Sequence, residues 1–153
     1  MSDSEEQERE ERARLSRIYW KPIVDAVLPF RTRVRMCGGE DPASFLTDWG
    51  PLFILPTDGY LEVSEGPCAI SRVRWVELCA TTRHGGRAGR PLTFQDIEAE
   101  LVVCLEQTAA IWEVCDAVWT FAPLFEDRPV RAVRIKNPFW RGLSVTIDAK
   151  VTP

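Results

Sequence analysis

The pattern that most restricts the fold of this chain is arginine recurring with a period of two inside stretches of β-favouring residues. In RTRVRM, residues 31 to 36, an extended backbone puts Arg31, Arg33 and Arg35 on one face and Thr32, Val34 and Met36 on the other. ISRVRWVELCAT, residues 70 to 81, sets Arg72 and Arg74 against Val73 and Trp75, and RPVRAVRIK carries Arg131 with Arg134 nearby. Each reads as a half-exposed strand. If those strands are neighbours, their guanidinium groups form a basic face, to which Trp49 or Trp75 adds aromatic surface for an acidic partner or a single-stranded nucleic acid. Cross-strand pairing with glutamates of the same sheet is the competing expectation.

The remaining elements follow from periodicity and turn chemistry. A helix is expected from Ser4 to Leu28, kinked or broken at Pro22. Its first part offers Glu5/Arg9, Glu8/Arg12 and Glu10/Arg14, each acid four residues before its base. An apolar face begins only at Leu15 and continues through Ile18, Tyr19, Ile23 and Val27. Residues 1–14 therefore read as an acidic helical extension with a frayed end, and 15–153 as a single α+β domain. PLFILP and GYLEVSE read as strands joined around Thr57-Asp58-Gly59. Thr93 and Asp96 open a second helix, with Phe94, Ile97, Leu101, Cys104 and Leu105 on its apolar face. IWEVCDAVWTFAP, residues 111 to 123, reads as two short strands turning near Asp116-Ala117 or as one bent strand, and RPVRAVRIK and GLSVTIDAKV supply two more. The fold class is α+β: a mainly antiparallel sheet of about five to seven strands packed against an N-terminal helix and one central helix.

Composition removes several classes of function. A chain of 153 residues, 45% hydrophobic and with six tryptophans, can bury a core of its own. The net charge of −4 is local, because residues 1 to 11 hold six acids against one base and the body is close to neutral. No apolar run approaches the roughly 18 residues of a membrane span. MSDSEEQERE has neither the basic nor the apolar part of a signal peptide, so a cytoplasmic protein with no membrane partner is expected. Five cysteines without a C-x-x-C pair, and one histidine, give no zinc signature and read as structural thiols of a reducing compartment.

Candidate chemistry is sparse. TTRHGGRAGRPLTFQDIE, residues 81 to 98, has neither phosphate-loop nor dinucleotide glycine spacing. Arg83, Arg87 and Arg90 lie close in sequence to the helix start near Phe94, where backbone amides attract a carboxylate or phosphate; a solvated connection is the alternative. His84 has no nucleophile or carboxylate pair to work with. Glu62, Glu65, Glu77, Glu98, Glu100, Glu113 and Asp116 are expected on solvated faces. Cys79 and Cys115 lack the basic setting of an activated thiol. No catalytic, cofactor or metal-binding residue is assigned, and an enzyme is not the expectation.

The order of motifs resembles a small bacterial domain family found beside toxin genes and grouped with immunity proteins. The resemblance runs through IYWKPIVDAV (18–27), LPFRTRVRM (28–36), DWG (48–50), RVRWVEL (72–78), GRPLTFQDIEAEL (89–101) and WEVCDAVWTFAP (112–123). Arg74 stands before Trp75 where the family has an acid, Ala117 stands where it often has glycine, and the tail from Phe125 looks like an addition. The resemblance implies a non-enzymatic inhibitor that occludes a cognate toxin or effector through Arg31, Arg33, Arg35, Arg72, Arg74, Arg83, Arg87 and Arg90. A nucleic-acid-binding accessory protein using the same basic face is the alternative.

Overall fold

A computed structural model describes residues 3–38, 46–55, 60–86, 88–121 and 126–140. It contains helices α1 (Asp3–Val27) and α2 (Glu98–Glu106). The first strands are β1 (Val34–Gly38), β2 (Phe53–Ile54), β3 (Tyr60–Val63), β4 (Gly66–Ala69) and β5 (Val73–Cys79). The others are β6 (Thr81–His84), β7 (Thr93–Asp96), β8 (Ile111–Phe121) and β9 (Glu126–Lys136). All described pairings are antiparallel: a four-stranded sheet in the order β1-β5-β9-β8, a three-stranded β2-β3-β4 sheet and a β6-β7 hairpin. The α+β class holds, and the described residues form nine strands, in sheets of four, three and two, against the five to seven expected, because short ribbons such as β4 and β6 read as connections in the sequence.

α1 is one uninterrupted helix through Pro22, whose ring lies on the exposed side. Proline removes a hydrogen bond at that turn. Burial of Trp20, Ile23, Val24 and Val27 on both sides of it holds the segment in place. Residues 3 to 11 are exposed throughout, and burial starts at Ser16. Ile18 is 58% exposed and not on the apolar face; Trp20, fully buried, takes the place assigned to it.

Of the two readings of residues 111 to 123 the uninterrupted one holds: β8 is a single eleven-residue strand with no turn at Asp116-Ala117, because each of its residues has a partner on β9. Two other expectations change. β9 comes from the supposed C-terminal addition, yet it is an interior strand between β5 and β8 and brings Val133 and Ile135 into the core. Thr93 and Asp96 belong to β7, and α2 starts at Glu98, whose N–H donates to Asp96 Oδ1 at 2.9 Å. The turn at residues 57 to 59, Arg87 and GLSVTIDAKV lie outside the described residues.

The main core lies between one face of the four-stranded sheet and the two helices. Val34, Met36, Val76, Leu78, Val133 and Ile135 meet Trp20, Ile23, Val27, Leu101 and Leu105, while Phe53, Leu61 and Val63 close one end. Each fully buried aliphatic side chain contributes about 1.5–3 kcal/mol. Gly50 joins β1 through two backbone hydrogen bonds with Val34, of 2.7 and 3.0 Å. A Cβ there would lie 2.2 Å from Ser64 Oγ, so the DWG glycine is required by close approach.

Two polar side chains inside this layer fix its register. The Tyr19 hydroxyl donates to the Lys136 carbonyl at 2.8 Å and accepts from the Ile111 N–H at 3.0 Å, inserting itself into the last rung of the β8–β9 ladder. Asn137, 3% exposed, donates through Nδ2 to the Ile70 and Val73 carbonyls at 2.7 and 2.6 Å. Its Oδ1 accepts from Trp20 Nε1 and from the Phe139 N–H, both at 3.2 Å. A buried donor or acceptor left without a partner costs about 1–3 kcal/mol. Asn137→Ala orphans several such groups, and urea unfolding is expected to show a loss of about 3 kcal/mol; a loss below about 0.5 kcal/mol, the scale of surface substitutions, would contradict this role.

Candidate functional site

On β5, Val76 and Leu78 face the core, so Trp75, Glu77 and Cys79 face the opposite side of the sheet. There the strand register lines up Arg35 on β1, Glu77 on β5, Arg134 on β9 and Glu113 on β8 as one row across all four strands. Glu77 is only 1% exposed. Its Oε1 accepts from Arg35 Nε at 2.7 Å, and its Oε2 accepts from Arg134 Nε at 3.0 Å and Nη2 at 2.8 Å. Arg134 Nη1 also lies 3.5 Å from Glu113 Oε1. An ionised carboxylate with so little water must be paired, and two guanidinium groups hydrogen-bonded from opposite sides meet that need.

Tryptophans hold the arginines. The Arg35 guanidinium carbon is 4.2 Å from the Trp49 ring centre, and that of Arg134 is 4.2 Å from Trp75. The Arg74 guanidinium lies 5.1 Å from Trp75 and 5.2 Å from Trp140. The result is a continuous ladder: Trp49, Arg35, Glu77, Arg134, Trp75, Arg74, Trp140. Stacked guanidinium groups gain about 0.5–2 kcal/mol each by cation–π attraction, more as water is excluded. Trp49 Nε1 also donates to the Val118 carbonyl at 3.0 Å, tying the ladder to the distal half of β8. Beside it, Cys79, Trp119 and Val130 form a smaller core with Leu92 and Phe94, and Arg128 lies 3.9 Å over the Phe94 ring.

Of the eight arginines singled out in the sequence, the seven within the described residues do not form one surface. Arg35 and Arg74 belong to the ladder. Arg33 precedes β1 and accepts the Cys79 N–H through its carbonyl at 2.8 Å, next to the ladder. Arg31 adopts a left-handed backbone, φ 52°, in the turn before β1, and Arg72 ends a one-turn helix; both are exposed and off the strands. Arg83 lies on β6 and Arg90 in the connection to β7. The four residues of β7, about 13 Å of extended chain, separate that connection from α2, so Arg83 and Arg90 do not stand at a helix start as expected. Arg131 pairs with Glu98 at 3.1 Å and Asp116 at 2.8 Å.

Arg134 and Trp49, expected with the basic face, belong to the arrangement, and Glu77, Trp140 and Cys115, not expected there, complete it. Glu77, expected on a solvated face, is the most buried acid of the described chain. Its signal was available: it shares strand parity with Trp75 and Cys79, an unusual company for a solvated acid. Trp49 and Trp140 come from irregular segments, where periodicity is silent.

Cys115 Sγ lies 3.4 Å from Glu77 Oε2, and burial, reinforced by the Glu77 charge, pushes its thiol up to about 11. Burial also raises the thiols of Cys37, Cys68, Cys79 and Cys104. His84 is exposed, with Nε2 2.9 Å from Thr82 Oγ1. Among the described residues no group of three or more His, Cys, Asp or Glu is placed to hold a metal ion, and no helix is long and apolar enough to cross a membrane. An open groove of about 890 Å³ between α1 and α2 is lined by Pro22, Ala26, Phe30 and Val103, with Asp25 and Glu100 at its side. No family model, curated protein or solved structure matches this chain.

Two measurements check the site. Glu77→Gln leaves Arg35 and Arg134 without their shared carboxylate, and urea unfolding is expected to show about 3 kcal/mol of lost stability, the low end for a broken buried pair because Arg134 keeps Glu113. Cys115 reacts only as thiolate, so its alkylation, followed by peptide mass spectrometry, is expected to rise about tenfold per pH unit from 8 to 10 without levelling. A plateau near pH 9 would contradict the cause given for its raised pKa.

Proposed function

We propose that this protein is a non-enzymatic, protein-binding inhibitor of the immunity or antitoxin kind, acting in the cytoplasm by covering the working surface of a cognate toxin or effector. The observation that carries this reading is the ladder of alternating tryptophan and arginine across the open side of the main sheet. Tryptophan and arginine are the side chains most enriched among residues that dominate binding energy. Rigidity favours the same use. Stacking and the Glu77 hydrogen bonds already immobilise Arg35 and Arg134, so a partner meets groups whose ordering cost has been met on folding.

Charge supports a protein partner over nucleic acid. Arg35, Glu77, Arg134 and Glu113 sum to zero formal charge, leaving a polar, hydrogen-bonding strip with Arg33, Arg74, Arg128 and Lys136 around it. A phosphate-tracking groove needs cations left available for counterion release. A specific protein contact instead uses a desolvated centre with charges at its rim to orient the approach.

The test is affinity capture from the native cell with the wild-type chain and with Arg74→Ala, which leaves the Glu77 hydrogen bonds intact. A partner recovered in stoichiometric amount with the wild type, about tenfold weaker with Arg74→Ala, and neutralised in a co-expression growth assay is the expected result. Equal recovery by both chains removes the ladder from the interface. Capture of nucleic acid with steep salt dependence would replace this reading with an accessory nucleic-acid binder.

A further inference from the structure

β8 forms one edge of the four-stranded sheet, and its outward hydrogen-bonding groups can be identified. The Arg131 carbonyl, on β9, accepts the Ala80 N–H at 2.9 Å, so the backbone groups of Arg131 point away from β8. Asp116 is opposite Arg131 in the β8–β9 register. In such a non-hydrogen-bonded pair the Asp116 N–H and C=O point outward, and so do those of Trp112, Val114 and Val118. Trp49 Nε1 reaching the Val118 carbonyl agrees with that direction and occupies the edge there. No described strand lies beyond Ile111–Ala117.

We propose that a second copy of this chain covers this edge, β8 pairing with β8 antiparallel about a two-fold axis at Val114. Three observations select this occupant and register. Among the described residues the run left open is centred on Val114, because Trp49 closes it at Val118. With that centre, Val114 meets Val114, Trp112 meets Asp116, Glu113 meets Cys115 and Ile111 meets Ala117; no two like charges are directly opposed. Centres at Glu113 or Asp116 would oppose two carboxylates on the axis. Ile111, 53% exposed at the start of the strand, then gains a neighbour.

About six backbone hydrogen bonds form, two at each outward-facing pair, and an edge that no other described strand pairs is closed by the partner that is always present at matching concentration. The axis is perpendicular to the sheet, so both tryptophan–arginine ladders lie on the same side of an eight-stranded assembly. This proposal does not depend on what the ladder binds.

The register gives a selective test. Ile111 and Ala117 form a non-hydrogen-bonded pair across the axis, with Cα atoms about 4.5 Å apart, within disulfide range. The double variant Ile111→Cys with Ala117→Cys, mildly oxidised, is expected to give a covalent dimer in much higher yield than either single variant or the wild type, and the wild type is expected to sediment as a dimer. Monomeric sedimentation over a wide concentration range, or equal cross-linking in the double and single variants, overturns the proposal.

Discussion

A carboxylate placed almost out of reach of water in the middle of a sheet cannot stay there unpaired, and Glu77 is such a group. Its two oxygens are met from neighbouring strands on either side, by Arg35 and by Arg134. The pairing ties β1, β5 and β9 to one register, since a one-residue slip of any of them would turn its own charged side chain to the helix side, away from the other two. Trp49 and Trp75 follow from the same constraint, because a guanidinium group drawn beneath the surface exchanges water for an aromatic face. The open side of the sheet is thus organised by electrostatics where the helix side is organised by packing.

The two sides depend on one another through β9. On one face it adds Val133 and Ile135 to the helix-packed core; on the other it presents Arg134 to Glu77. Asn137 immediately after it binds Trp20 of α1, the carbonyl of Ile70 ahead of β5 and that of Val73 at its start. Helix, sheet and entry to the central strand are therefore held from a single side chain. Loss of β9 would leave β5 without its second neighbour and Glu77 without one of its two cations.

The same arrangement shapes what the surface can do. Matched charge at the centre gives directional hydrogen bonding without strong long-range attraction, and the surrounding cations supply orientation at close range. Thiols raised by burial keep the cysteines near the ladder in their neutral, unreactive form at ordinary pH.

Local rules in the sequence determined the α+β class, the long N-terminal helix, the strands around Val34, Leu61, Val76 and Val133, and the antiparallel habit, because periodicity and turn residues act over a few positions. They also narrowed the arginines to two competing fates, a free basic face or cross-strand pairing with glutamate, and for Arg35 and Arg134 it is the second. Tertiary structure alone decided the sheet order β1-β5-β9-β8, since which strand lies beside which depends on burial summed over the whole chain. That order put a strand from the apparent tail at the centre, turned Glu77 from a solvated acid into a buried one, and brought Trp49, Trp75 and Trp140 from distant segments to the arginines. Side-chain alternation states which residues share a face of one strand; only the pairing of strands states which charges meet across them.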